Sequence, residues 1–153
     1  MDPEIAEIYG NKVRIRVMGL CWQAEALLMV NHKMGDGELW APPGGGVEFG
    51  ELLEDALKRE FAEETGLDVA TGKFLFGCEF VQQPLHAIEL FFEVIPLSGE
   101  LRTGDDPELS IIRSVKFFSP EEIQRIPAGS IHGIFKMLGN PDKLRRASGF
   151  YRI

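Results

Sequence analysis

Residues 44 to 67 constrain this chain more than any other stretch. They read GGGVEFGELLEDALKREFAEETGL. Pro42 and Pro43 stiffen the entry, and the glycines that follow permit positive φ and close backbone approach. A helix is expected from about Glu51 to Thr65, because Leu53, Ala56, Leu57 and Phe61 recur at spacings of three and four. Gly66 supplies its C-terminal stop. At about 100° per residue, Glu60 and Glu64 fall within about 20° of Leu53, and Glu63 lies roughly 80° to one side. Solvated charges belong opposite the apolar stripe, roughly where Glu54, Asp55 and Lys58 stand. The three glutamates instead extend the inward stripe. Clustered carboxylates repel one another, and desolvation adds to that cost. A hard divalent cation, which prefers oxygen ligands, would remove it. The glycine turn is placed to aim a backbone carbonyl, that of Gly44, at such an ion. It is not a P-loop, since Glu51 stands where the lysine must be.

The stretch resembles the Nudix box, G-x5-E-x7-R-E-U-x-E-E-x-G-U with U apolar. Here it runs Gly45, Glu51, Arg59, Glu60, Phe61, Glu63, Glu64, Gly66 and Leu67, with no defined position departing from the pattern. Pattern alone gives an α+β protein; the resemblance implies a Nudix-type α/β/α sandwich with a mixed β-sheet. It also implies a pyrophosphohydrolase that cleaves a nucleoside diphosphate linked to some group X, with Mg2+ or Mn2+ as cofactor. By resemblance, Glu60 and Glu64 are metal ligands, and Glu63 binds metal directly or through water. Glu60 or Glu63 is the general base where the box supplies it, and some family members take the base from a loop instead. Glu51 and Arg59 match the pair that positions the loop against the helix, and their pairing requires the Glu51 backbone to sit outside the helix proper. Nudix enzymes commonly recruit one more acid from a loop outside the box; Glu108 is the first choice, followed by Asp105 and Asp106. The rival reading is a noncatalytic Nudix-like nucleotide-binding sensor. Such proteins often lose box acids, and this chain keeps them all. A homodimer is common in the family.

With 153 residues the chain is expected to form one domain, with residues 1–10 as an N-terminal arm and 140–153 as a C-terminal tail. The net charge of −8 argues against a nucleic-acid polymer as partner, which needs a basic face, but not against a small anionic ligand held through a metal. Cys21 and Cys78 fit neither a disulfide framework nor a zinc spacing, and read as buried thiols of a reducing, cytoplasmic compartment. The acidic N-terminus predicts no signal peptide, and no apolar run is long enough for a membrane span.

Along the chain, residues 11–21 alternate. Lys12, Arg14 and Arg16 point one way, and Val13, Ile15 and Val17 point to the core. Arg14 and Arg16 either reach an anionic substrate or lie on a solvated face or a subunit contact. Residues 24–32 form a second strand and 31–38 a loop, where His32 and Lys33 either contact phosphate or solvate a strand end. Residues 39–41 form a short strand with Trp40 against the following turn, and 68–71 a connection. Residues 73–82 and 85–96 pair as a hairpin around Gln83-Pro84. His86 and Glu89 lie near it and either line a pocket or serve structure. Residues 111–118 are the final strand, Ser119 and Pro120 open a helix, and a last helix covers 130–138. The basic, aromatic tail packs on the domain, joins a dimer or lies free.

Overall fold

The computed structural model describes residues 3–104 and 112–153. A short helix, α1 (Pro3–Tyr9), precedes the alternating strand β1 (Val13–Gln23). The chain turns at Ala24 and returns as β2 (Ala26–Met34), two residues later than expected. Most of the expected loop 31–38 is strand. β2 runs on to Met34, and β3 (Gly37–Ala41) begins after a two-residue turn in which Gly35 has φ 57°. The glycine there closes a tight hairpin rather than opening a long loop. Trp40 packs on Phe118, with ring centroids 4.6 Å apart.

The glycine run forms a short strand, β4 (Gly44–Gly46), and helix α2 (Leu53–Thr65) follows. The helix begins two residues later than Glu51, so Glu51 lies in the loop. At its far end Gly66, in the left-handed region at φ 76°, donates to the Ala62 carbonyl at 3.2 Å. Residues 68–71, expected as a connection, open the strand β5 (Asp68–Gln82). Register shifts between Asp68 and Phe76 let its ladder with β6 (Leu85–Ser98) continue past Thr71-Gly72. β7 (Ile112–Phe118) is not the last strand, because β8 (Phe150–Arg152) adds parallel to β5. The tail therefore packs on the domain. Ser119 and Glu122 form a capping box at the start of α3 (Pro120–Arg125). The last α-helix is shorter than expected, α4 (Gly133–Leu138).

The strands make one mixed sheet in the order β3-β2-β1-β6-β5-β8, with β4 on β1 and β7 on β2. Ala56, Leu57 and Phe61 of α2 pack with Val17, Cys21, Leu28 and Val94 on one face. Ile123, Ile134 and Phe135 of α3 and α4 pack with Met18, Leu20, Leu27 and Phe91 on the other. This is an α/β/α sandwich. Both cysteines are buried, and burial pushes the Cys21 thiol up to about 11 and the Cys78 thiol up to about 12.

One expectation about β1 fails. Val13 and Ile15 are 57% and 40% exposed. They share a face with Val17, but α2 covers that face only from Val17 onward. Their uncovering belongs to a larger feature of the sheet. β1 and β2 pair only at Trp22↔Leu27 and Gln23↔Ala26. Beyond that seam β1 takes β4 and β6 as neighbours, while β2 takes β3 and β7. The sheet divides there and leaves an open cleft.

Candidate active site

The cleft has a volume of about 990 Å³. The end of α2 brings Glu60, Glu63 and Glu64 to it, the glycine strand brings Gly44, and β1 and β2 bring Arg14, Arg16 and His32. Glu51 is not among its lining residues and is joined to the helix through Arg59.

Arg59 is the hub of the box. Its Nε and Nη2 donate to the two Glu51 carboxylate oxygens at 2.8 and 3.0 Å, a bidentate pair. Nη2 also donates to the Gly46 carbonyl at 3.1 Å, and Nη1 to Glu60 at 3.0 Å and Glu63 at 3.4 Å. Glu51 in turn accepts the Glu48 N–H at 3.1 Å. The Arg59 hydrogen bonds hold the Glu51 carboxyl below its ordinary range. The loop is thus fastened to the helix, with Glu51 outside the helix as its pairing requires.

Glu64 is the most enclosed of the acids, at 4% exposure. Its Oε1 accepts the Gly44 N–H at 2.8 Å, and Oε2 lies 3.3 Å from His32 Nε2. Glu60 lies directly beneath Gly45. A Cβ at Gly45 would stand 2.4 Å from Glu60 Oε1, so a side chain there would displace that carboxylate. Burial, then the neighbouring charge of Glu64, pushes the Glu60 carboxyl up to about 7 against the opposing pull of Arg59.

Three carboxylates, Glu51, Glu60 and Glu63, share one guanidinium, and a fourth, Glu64, stands beside them on the Gly44 N–H. The donor set facing the cleft is all oxygen and carries excess negative charge, chemistry that fits a hard divalent cation. Among the described residues no group of three or more His, Cys, Asp or Glu already converges as a metal cage. Glu108, Asp105 and Asp106, the candidate acids from outside the box, lie outside the described residues.

On the other side of the cleft, Arg14 stacks over the Tyr9 ring, 3.9 Å from its centroid. Arg16 Nη1 donates to Glu89 Oε2 at 2.7 Å. Glu89 is 2% exposed, and its Oε1 accepts from His132 Nε2 at 2.6 Å. Burial would raise the Glu89 carboxyl, but His132 and Arg16 outweigh it and hold it below the ordinary range. His86 instead pairs with Glu79 at 2.9 Å on the partly exposed hairpin. His132 was not legible from its neighbours in sequence. Glu89 left one signal, a charge in the otherwise inward row of Ala87 and Phe91.

Fold and site together define a class: an α/β/α sandwich in which a helix behind a glycine turn presents clustered carboxylates to a divided sheet. The model of the NUDIX domain matches residues 12–137, and the chain belongs to that family. It is 35% identical over 96 residues to an ADP-ribose pyrophosphatase of Methanocaldococcus jannaschii, covering 60% of this chain and 56% of that protein. It is 25% identical over 132 residues to a putative ADP-ribose pyrophosphatase of Bacillus subtilis, covering 83% of this chain and 62% of that one. The chain thus spans less than two thirds of the length of either relative. Among solved structures, the E. coli ORF135 protein superposes with a TM-score of 0.69 at 23% identity, over 88% of this chain and 91% of that chain. An ADP-ribose pyrophosphatase from Streptococcus suis does so with a TM-score of 0.64 at 20% identity, over 90% and 98%. At these identities the structural likeness speaks for the fold. Among the described residues no helix is long and apolar enough to cross a membrane.

Proposed function

We propose that this chain hydrolyses the pyrophosphate bond of a nucleoside diphosphate linked to X, with Mg2+ or Mn2+ as cofactor. The observation that carries the reading is the set of Glu60, Glu63 and Glu64 at one end of an open cleft, with Arg59 and Glu51 locking the loop behind them. Glu60, Glu63 and Glu64, with the Gly44 backbone, would hold the divalent ion. Bound there, the ion supplies charge neutralisation on the phosphate oxygens and acidifies a water.

The chain's own residues do the rest. Glu60 or Glu63 takes a proton from the attacking water. Glu64, fixed by Gly44 and His32, keeps its carboxylate in place through the reaction. Arg14, Arg16 and His32 bind the substrate's anionic groups. Exposed Val13, Ile15 and Met34, with Leu39, offer apolar contact to the rest of the molecule. The two relatives' names favour ADP-ribose as the first compound to try.

A panel of ADP-ribose, nucleotide sugars, nucleoside triphosphates and dinucleoside polyphosphates with Mg2+ or Mn2+ tests the reading, with products identified by mass. Cleavage at a phosphoanhydride is the expected result. Tight binding with no cleavage by either ion would overturn it in favour of a nucleotide sensor.

A further inference from the structure

We propose that Glu89, braced by His132, is a positioning residue that holds the Nε–Nη2 edge of Arg16 toward the cleft as a bidentate receptor for two phosphate oxygens of the substrate. This rests on the pyrophosphatase reading above.

Two arginines in this site make opposite use of the same geometry. Arg59 turns its Nε–Nη2 edge onto both oxygens of Glu51. Arg16 gives only Nη1 to a carboxylate, that of Glu89. Its Nε is enclosed and has no partner among the described residues, and its Nη2 donates to none of them. Enclosed donors are partnered in the great majority of cases, so an orphan beside a cleft marks where a ligand atom belongs. The flat edge of a guanidinium matches the spacing of two oxygens on one phosphate.

The brace explains why the edge is left unpaired. Glu89 is opposite Arg16 in the parallel register of β1 and β6. Its second oxygen is taken by His132. The other ring nitrogen of His132, Nδ1, accepts the Ile134 N–H at 3.1 Å. An accepting Nδ1 carries no proton, so Nε2–H is the donor to Glu89 and the tautomer is fixed. The bonds thus run from the start of α4 through Glu89 to Arg16, and both oxygens of the carboxylate are engaged. Arg14, two residues along the same strand face, adds positive charge on that side of the cleft. That favours a phosphate over the neutral edge of a purine, which the same fork also fits.

The test is a double-mutant cycle on ADP-ribose turnover with Mg2+, paired with calorimetric binding of ADP-ribose and of adenosine in chelator. R16K keeps the charge and removes the fork; E89Q breaks the brace. Each is expected to raise KM by about 10-fold or more, as loss of a charged hydrogen bond does, with kcat changed by less than about 3-fold. The double variant is expected to be no worse than R16K alone. Additive effects on KM, or an unchanged KM in E89Q, overturn the proposal. Should E89Q fail to fold, H132Q replaces it in the same cycle and is read by the same criteria. Weakened adenosine binding in R16K, equal to that of ADP-ribose, overturns the phosphate assignment. If nothing on the panel is cleaved, the proposed function fails and binding alone decides. An ADP-ribose Kd raised about 10-fold in both variants then supports the receptor. An unchanged Kd, or no binding by the native protein, overturns it.

Discussion

Glu60 and Glu64 are neighbours on one helix face, yet their surroundings differ. Glu64 is satisfied by a backbone N–H and an imidazole, whereas Glu60 shares Arg59 with two other acids. Glu60's raised carboxyl has a consequence for the metal-free protein. The folded state binds that proton more tightly than the unfolded state, whose value lies near 4.5. The resulting stabilisation is fully present below about pH 4.5 and is lost as pH rises through about 7, a change of up to about 3 kcal/mol. Urea unfolding in chelator at pH 5 and pH 8 should show native protein losing stability relative to Glu60→Gln. A pH-independent difference between the two would refute the assignment. Glu64→Gln retains an oxygen for the Gly44 N–H, so its fold should survive while turnover falls by orders of magnitude. Circular dichroism and steady-state rates together check this, and near-normal turnover would remove Glu64 from the metal set.

At the level of elements, the site depends on β4 lying flush against α2. Gly45 admits that approach because a Cβ would strike the Glu60 carboxylate. Gly45→Ala should push the Glu60 carboxylate from its place beside Arg59, cost about 1 kcal/mol of stability and lower turnover by an order of magnitude or more. Thermal melts and rates report both effects, and a stable, fully active Ala variant would mean the carboxylate can move without loss. This arrangement was largely legible beforehand. The stripe of Leu53, Ala56, Leu57 and Phe61 set the helix face, and the inward acids set its chemistry. What escaped the sequence was whatever depends on partners distant in the chain. Val13 and Ile15 alternate correctly, but nothing local reveals that α2 stops short of them. Thr71-Gly72 reads as a break because a bulged strand and a connection share the same residues. His132 meets Glu89 only after the chain has threaded α3 and returned to the sheet.

On the scale of the whole molecule, the sheet serves two packed cores, one on each face. Its division between β1 and β2 sets groups from separate strands across one cleft, with Arg16 on β1 and His32 on β2. A ligand touching both should raise stability by about 2.7 kcal/mol at 100 times its Kd. ADP-ribose in chelator should therefore raise the melting temperature in a dose-dependent way and slow hydrogen exchange along β1 and β2. No shift at saturating ligand would mean the two strands are not bridged. The ladder between these strands stops after two rungs, and backbone pairing goes no further. Whatever nucleotide the cleft accepts becomes the next rung, so the molecule is most completely knit together only while it holds its cargo.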